Sequence, residues 1–117
     1  MKTEQIASQL AALLRQGQFE SAQRELFHPS VVSIEPEKAN IPPVEGIEAI
    51  LAKGAQFRES VAAWHGIAVS QPVVASGYFS IALKVDLTFK GQEPSTMDEI
   101  IVYETDGEKI TKEVFYY

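Results

Sequence analysis

From Tyr78 to Phe89 every second residue is apolar: Phe79, Ile81, Leu83, Val85, Leu87 and Phe89 alternate with Tyr78, Ser80, Ala82, Lys84, Asp86 and Thr88. Successive side chains of a β-strand point to opposite faces, so this alternation predicts one long strand with a buried face and a wet face. A strand of that kind needs paired neighbours and a second layer over its apolar face. The neighbours are visible on both sides. Trp64 to Ala75 precedes it across Ser76-Gly77, a hairpin signal. Lys90 to Pro94 leads into a C-terminal pair of β-rich runs that flank Asp106-Gly107, a dipeptide that tolerates the positive φ angles of a tight turn.

The covering layer comes from the first half of the chain. Ile6, Leu10, Leu13 and Leu14 recur at helical spacing between Thr3, a plausible N-cap, and Gly17, where a helix would end in a left-handed turn. A second short helix carries Phe19, Ala22, Gln23, Leu26 and Phe27 on one side and stops at His28-Pro29, because the residue before proline leaves the helical region. Val31 to Glu35 reads as a strand closed by Pro36. After a proline-bearing loop, a third helix buries Ile47, Ile50, Leu51, Gly54, Phe57 and Val61. Gly54 in mid-helix costs about 1 kcal/mol against alanine, which points to close packing there.

The 117 residues form one domain, spanning 1–117, large enough for its own core. Without cysteine, and with only two histidines (His28 and His65) standing apart, neither a disulfide framework nor a metal site is expected, and no cofactor. A net charge of −6 opposes nucleic-acid binding, which depends on cations neutralising phosphates. No segment has the roughly 20 apolar residues of a membrane span. A cytoplasmic, soluble protein is the expectation.

Three local signatures, in order, resemble the SnoaL-like branch of the superfamily that includes ketosteroid isomerase and nuclear transport factor 2. The first is the helix ending at Gly17, followed by Phe19-Glu20 and the run into His28-Pro29. The second is Ile34-Glu35-Pro36, a loop, then Gly46-Ile47-Glu48-Ala49-Ile50. The third is Ile101-Val102-Tyr103-Glu104, Asp106-Gly107-Glu108-Lys109-Ile110 and the aromatic end Phe115-Tyr116-Tyr117. The resemblance implies an α+β, cystatin-like conical barrel in the order α-α-β-α-β-β-β-β, with three N-terminal helices packed in a curved antiparallel sheet. It also implies an apolar pocket for a small molecule and a homodimer through the sheet's outer face. Leu10, Leu14, Phe57 and Trp64 are expected to line that pocket, with Phe79, Leu83, Ile100 and Phe115 from the strands.

Within that resemblance Glu35 takes the place of the general base, a carboxylate just before proline at the end of the first strand, with Glu in place of the usual Asp. A carboxylate at the mouth of an apolar cavity loses hydration and becomes a better base. The plainer reading is a surface glutamate ending an edge strand. The C-terminal hairpin offers a second acid. If Asp106-Gly107 is a two-residue loop, Glu104 faces Lys109, Val102 faces Thr111, Ile100 faces Glu113 and Asp98 faces Phe115. Periodicity leaves the two faces open, because each mixes apolar and charged residues. The resemblance favours the face bearing Asp98 and Glu113 as the inner one, with Asp98 a protonated donor to an oxyanion. The bland alternatives are a solvated aspartate and a glutamate paired with lysine across the strands.

Two activities of the related proteins are disfavoured. Leu10 stands where the isomerases carry an oxyanion-hole tyrosine, and losing one such donor typically costs about 10²–10³ in rate. The Asp-Arg-Asp set of the epoxide hydrolases has no counterpart, since Arg15, Arg24 and Arg58 all fall in predicted helices. On the same loop count Trp64 faces inward across from Phe89 and His65 outward opposite Thr88. A bulge near Pro72 would reverse them. Two functions remain in competition: an isomerase, cyclase or hydrolase-type enzyme using a pocket carboxylate, and a non-catalytic binding or assembly domain of the same fold.

Overall fold

The computed structural model describes residues 2–117. Helices α1 (Thr3–Arg15) and α2 (Phe19–Leu26) come first, then strand β1 (Phe27–Ile34), a single 3-10 turn (Glu37–Ala39) and the two-residue strand β2 (Val44–Glu45). Helix α3 (Ile47–Glu59) precedes β3 (Val61–Val69), β4 (Val73–Ala75), β5 (Tyr78–Phe89), β6 (Pro94–Thr105) and β7 (Ile110–Tyr116). The strands form one sheet in the order β2-β1-β7-β6-β5-β3, with β4 also on β5. Three helices and a curved mixed sheet make the α+β conical barrel.

The alternation of β5 does what periodicity demands. Phe79, Ile81, Leu83, Val85 and Leu87 are buried, while Tyr78, Ala82, Lys84 and Asp86 are exposed. Helix α1 lays Ile6, Ala7, Leu10, Ala11 and Leu14 against that face, packing across β3, β4 and β5 and along α2. Helix α3 adds Ile50 and Leu51 and packs on β1, β2, β3 and α2. At the end of α1 Gly17 takes φ +73°, the left-handed value that a side chain would oppose.

Four features depart from the sequence-based picture. The sheet is mixed: β1 runs parallel to β7, with Ser33 opposite Glu113 and Ile34 opposite Val114, while its other pairings are antiparallel. Phe27 belongs to β1 and not to α2, because it pairs with Ile110 and buries its ring. The irregularity between Phe27 and Val32 then accommodates Pro29, which cannot donate to a ladder. The segment before β5 divides at Ser70–Pro72 into β3 and β4, and β3 itself bulges twice. Trp64 therefore lies opposite Leu87, not Phe89.

The fourth departure decides the site. The β6–β7 connection is longer than two residues: the Asp106 carboxylate accepts the backbone N–H groups of Glu108 and Lys109, both at 2.8 Å. Gly107 takes φ +91°, and the register shifts between Glu104 and Thr105. Glu104 consequently faces Lys112, Val102 faces Val114, and Tyr103 faces Glu113. A slip by an odd number of residues turns one strand's face over. Asp98 and Ile100 thus point outward and are exposed, whereas Glu99, Ile101 and Tyr103 point inward. Asp98 is corrected as a site residue, and Ile100 as a pocket residue.

Candidate functional site

Between α1, α2, α3 and the inner face of the sheet lies a cavity of about 200 Å³. Its walls are mostly apolar: Leu10 and Leu14 from α1, Phe19 and Ala22 from α2, Ile50 and Phe57 from α3, and Leu83, Val85, Ile101 and Phe115 from the sheet. Trp64 stands at the rim, 46% exposed, with Phe19 stacked on it at 6.2 Å and Phe57 edge-on at 6.0 Å. Phe79, expected on the wall, instead stacks on Tyr103 at 4.8 Å within the core.

Three carboxyl groups reach this cavity from three strands or strand ends: Glu35 just beyond β1, Glu99 from β6 and Glu113 from β7. Strand β1 brings Glu35 to the cavity wall, where Pro36 turns the chain away. One Glu35 oxygen accepts from the Lys53 ammonium at 3.0 Å and the other from the Tyr117 hydroxyl at 3.3 Å. Lys53 is held on α3 one residue before Gly54, and its ammonium also lies 5.5 Å from the centre of the Phe115 ring. Such a contact stabilises a cation that is partly withdrawn from water.

Glu113 is deeper, 5% exposed, and accepts a hydrogen bond from the equally buried Ser33 hydroxyl at 2.8 Å. Burial pushes its carboxyl up to about 7, with Glu35 and Glu99 adding to the rise and the Ser33 bond and Lys53 opposing it. Glu99, 9% exposed, is also raised to about 7, first by desolvation and then by Glu35, with Lys53 pulling the other way. Tyr103 opposite Glu113 is shifted well upward by burial and by both acids, so its hydroxyl stays protonated. The cavity thus combines one ion pair with two carboxyl groups poised near neutrality. Among the described residues no three acids or histidines are grouped to hold a metal ion.

Of the residues the sequence pointed to, Glu35, Glu113, Leu10, Leu14, Phe57, Trp64, Leu83 and Phe115 share this cavity, while Asp98, Ile100 and Phe79 do not. The histidines lie outside it: the His28 ring accepts from the Ser30 N–H at 3.0 Å, and His65 meets the Thr88 hydroxyl at 2.7 Å. Sequence reasoning passed over Lys53 and set Glu99 and Tyr103 on the hairpin face that the resemblance did not favour. A count across the Lys90–Glu93 turn holds the signal for two of them. It sets Phe79 opposite Tyr103, Ile81 opposite Ile101 and Leu83 opposite Glu99, so the inner face of β5 carries that of β6 with it.

The profile of the SnoaL-like domain matches residues 1–117. A SnoaL-like protein from Mesorhizobium loti has a solved structure that is 32% identical, with 100% of each chain covered and a TM-score of 0.93. A ketosteroid isomerase-like protein from Catenulispora acidiphila, crystallised with trimethylamine, is 20% identical over 96% of this chain and 84% of that one, TM-score 0.76. TerC, co-crystallised with polyporic acid, is 14% identical over 98% and 90%, TM-score 0.78. The last two likenesses are of fold alone. No curated protein sequence matches the chain. No helix among the described residues is long and apolar enough to cross a membrane.

Proposed function

This chain belongs to the SnoaL-like family, and we propose that it catalyses proton transfer on a small cyclic carbonyl compound bound in its cavity. The observation that carries the reading is the convergence of Glu35, Glu99 and Glu113 on one apolar cavity with a single paired lysine. Glu35 is the base. It takes a proton from the carbon next to the carbonyl, and the electron pair of that C–H bond moves through carbon to the carbonyl oxygen. A protonated Glu99 or Glu113 donates to that oxygen, because a neutral carboxyl group near pH 7 is a hydrogen-bond donor in a water-poor site. Return of the proton to a different carbon is an isomerisation; attack of the enolate carbon on a second carbonyl, whose π bond breaks and whose oxygen then takes the proton from Glu35, is a cyclisation. Glu99 takes the role that the family resemblance assigned to Asp98.

Size narrows the substrate. A cavity of about 200 Å³ exceeds the roughly 150 Å³ that accepts benzene but is below the usual range of about 300–1,000 Å³ for drug-sized ligands. One ring or two fused rings fit; a tetracyclic skeleton would protrude past Trp64. A thermal-shift panel of mono- and bicyclic ketones, diketones and quinones tests this. A ligand at about 100 times its Kd adds roughly 2.7 kcal/mol, several degrees for a chain of this size. Hits confined to such compounds support the reading, and a flat response across the panel counts against it.

A non-catalytic assembly role is the second reading, and a specific observation favours its dimeric part. Ile100 and Tyr116 are paired neighbours on the outer face of the sheet, 52% and 56% exposed, with Tyr78 also outward at 53%. That patch is suited to a second copy of the chain. Sedimentation at micromolar concentration should give a species of twice 12.9 kDa; a monomer alone would remove the dimer.

A further inference from the structure

The helix side of the cavity carries a polar feature that the proton-transfer reading does not use. Gln23 of α2 lines the cavity, and its Oε1 is buried with no hydrogen-bond partner among the described residues. A buried acceptor left unpaired is costly, and native structures hold few of them. Across from it α3 presents Gly54. A Cβ built there would sit 3.6 Å from Gln23 Oε1 and 3.1 Å from Arg58 Nη1. Glycine in mid-helix is unfavourable, and here the missing side chain lets an acceptor and a donor approach the same stretch of helix backbone. Arg58 is anchored by its other terminal nitrogen, Nη2, which donates to Glu20 at 3.3 Å.

We propose that Gln23, Gly54 and Arg58 form a hydroxyl-binding notch, so that the cavity's ligand is a hydroxylated ring compound. The assignment deepens the proposed small-molecule reading and rests on it. Arg58 can only donate, and the Gln23 oxygen can only accept. A hydroxyl group does both at once, accepting from the guanidinium and giving its proton to the amide oxygen. The terminal amide torsion of glutamine is broad, so Oε1 can turn toward a ligand held over Gly54. A carboxylate would leave Oε1 unpaired and would meet the acids of the opposite wall. Lys53 and Gly54 are consecutive on α3, and a helix turns about 100° per residue. One therefore faces Glu35 while the other faces α2, giving the cavity two separate polar ends.

The test uses 2-naphthol and 2-methoxynaphthalene, which have the same ring system but differ in the O–H, titrated calorimetrically at pH 7. The wild-type protein should bind 2-naphthol about 10-fold more tightly, the order expected when a buried acceptor gains or lacks its donor. In Gln23→Leu that preference should fall to about 2-fold or less, with the methoxy compound bound as before. Gly54→Ala should also reduce the preference, because the added methyl group occupies the notch. Gln23→Leu should melt at or above the wild-type temperature, since it removes an unpaired acceptor. Full preference retained in Gln23→Leu overturns the notch. If that preference instead disappears in Glu113→Gln, the hydroxyl docks at the carboxyl wall, and the functional reading survives alone. A marked fall in the melting temperature of Gln23→Leu would make Gln23 a structural residue and also overturn the notch. Failure of both probes to bind the wild-type protein removes the small-ring reading and the notch together.

Discussion

Raising the pH from 5 to 8 is expected to lower the melting temperature by about 10 °C or more, the reverse of ordinary acid denaturation in this range. Glu99 and Glu113 are raised from 4.5 to about 7 in the folded protein. Between those values the folded chain holds protons that the unfolded chain has released. Stability then decreases as pH rises, because the slope follows the protons bound in the unfolded state minus those bound in the folded state. The stabilisation is fully present below about pH 4.5 and lost by the time the pH passes about 7. A shift of this size corresponds to roughly 3 kcal/mol for each group taken singly, at about 1.36 kcal/mol per pH unit. Because the two acids repel each other, their contributions do not add simply. Glu113→Gln retains an acceptor for the Ser33 hydroxyl and removes one of the two titrations, so its melting temperature should vary less with pH, the remaining slope coming from Glu99. Differential scanning calorimetry from pH 5 to 8 on the two proteins makes the comparison; equal slopes would show that Glu113 does not carry the effect.

Glu35→Gln should lower turnover of a substrate found by the ring-compound panel by about 10²–10⁴-fold, the usual contribution of a positioned general base. The amide has nearly the same shape and can still accept from Tyr117, so substrate affinity should change little. The unpaired Lys53 is partly solvated and tolerates the loss. Glu99→Gln should lower kcat as well, by weakening the donor that meets the charge developing on the substrate oxygen, an interaction made chiefly in the transition state. Steady-state kinetics on both variants separate the roles. An unchanged kcat in Glu35→Gln would move the chemistry to another carboxylate, and unchanged rates in both would leave a binding domain.

How much of this was legible in the sequence follows from what each residue's signal is made of. The inner face of β5 was plain because five large apolar side chains alternate without interruption, and burial alone explains them. Glu35 was legible only through the family resemblance, which sets a carboxylate just before proline at the end of the first strand; its own surroundings read equally as a surface glutamate. The β6–β7 hairpin was not, because both faces of β6 carry apolar and charged residues in similar measure. The outcome then rests on the turn, and Asp106-Gly107 looks like a two-residue loop. The Asp106 carboxylate instead caps the N–H groups of Glu108 and Lys109, lengthening the connection and exchanging Asp98 for Glu99 on the inner face. Glu113 kept its face because the strand that reversed was β6. Lys53 falls outside the apolar stripe of α3, and only the closure of β1 and β7 over that helix brings Glu35 and Phe115 to it. The parallel β1–β7 pairing was equally hidden, since it joins segments about 80 residues apart.

The proposed chemistry depends on two carboxyl groups held near half-protonation at physiological pH in an apolar cavity. Titration of the side-chain carboxyl carbons of Glu99 and Glu113 by NMR in labelled protein, assigned with the Glu99→Gln and Glu113→Gln variants, tests it without a substrate. Inflections near pH 7 are expected for both, each displaced when the other acid is replaced. Inflections at about 4–4.5, the range of solvated glutamate, would mean that water reaches both groups and that the cavity is not the site described.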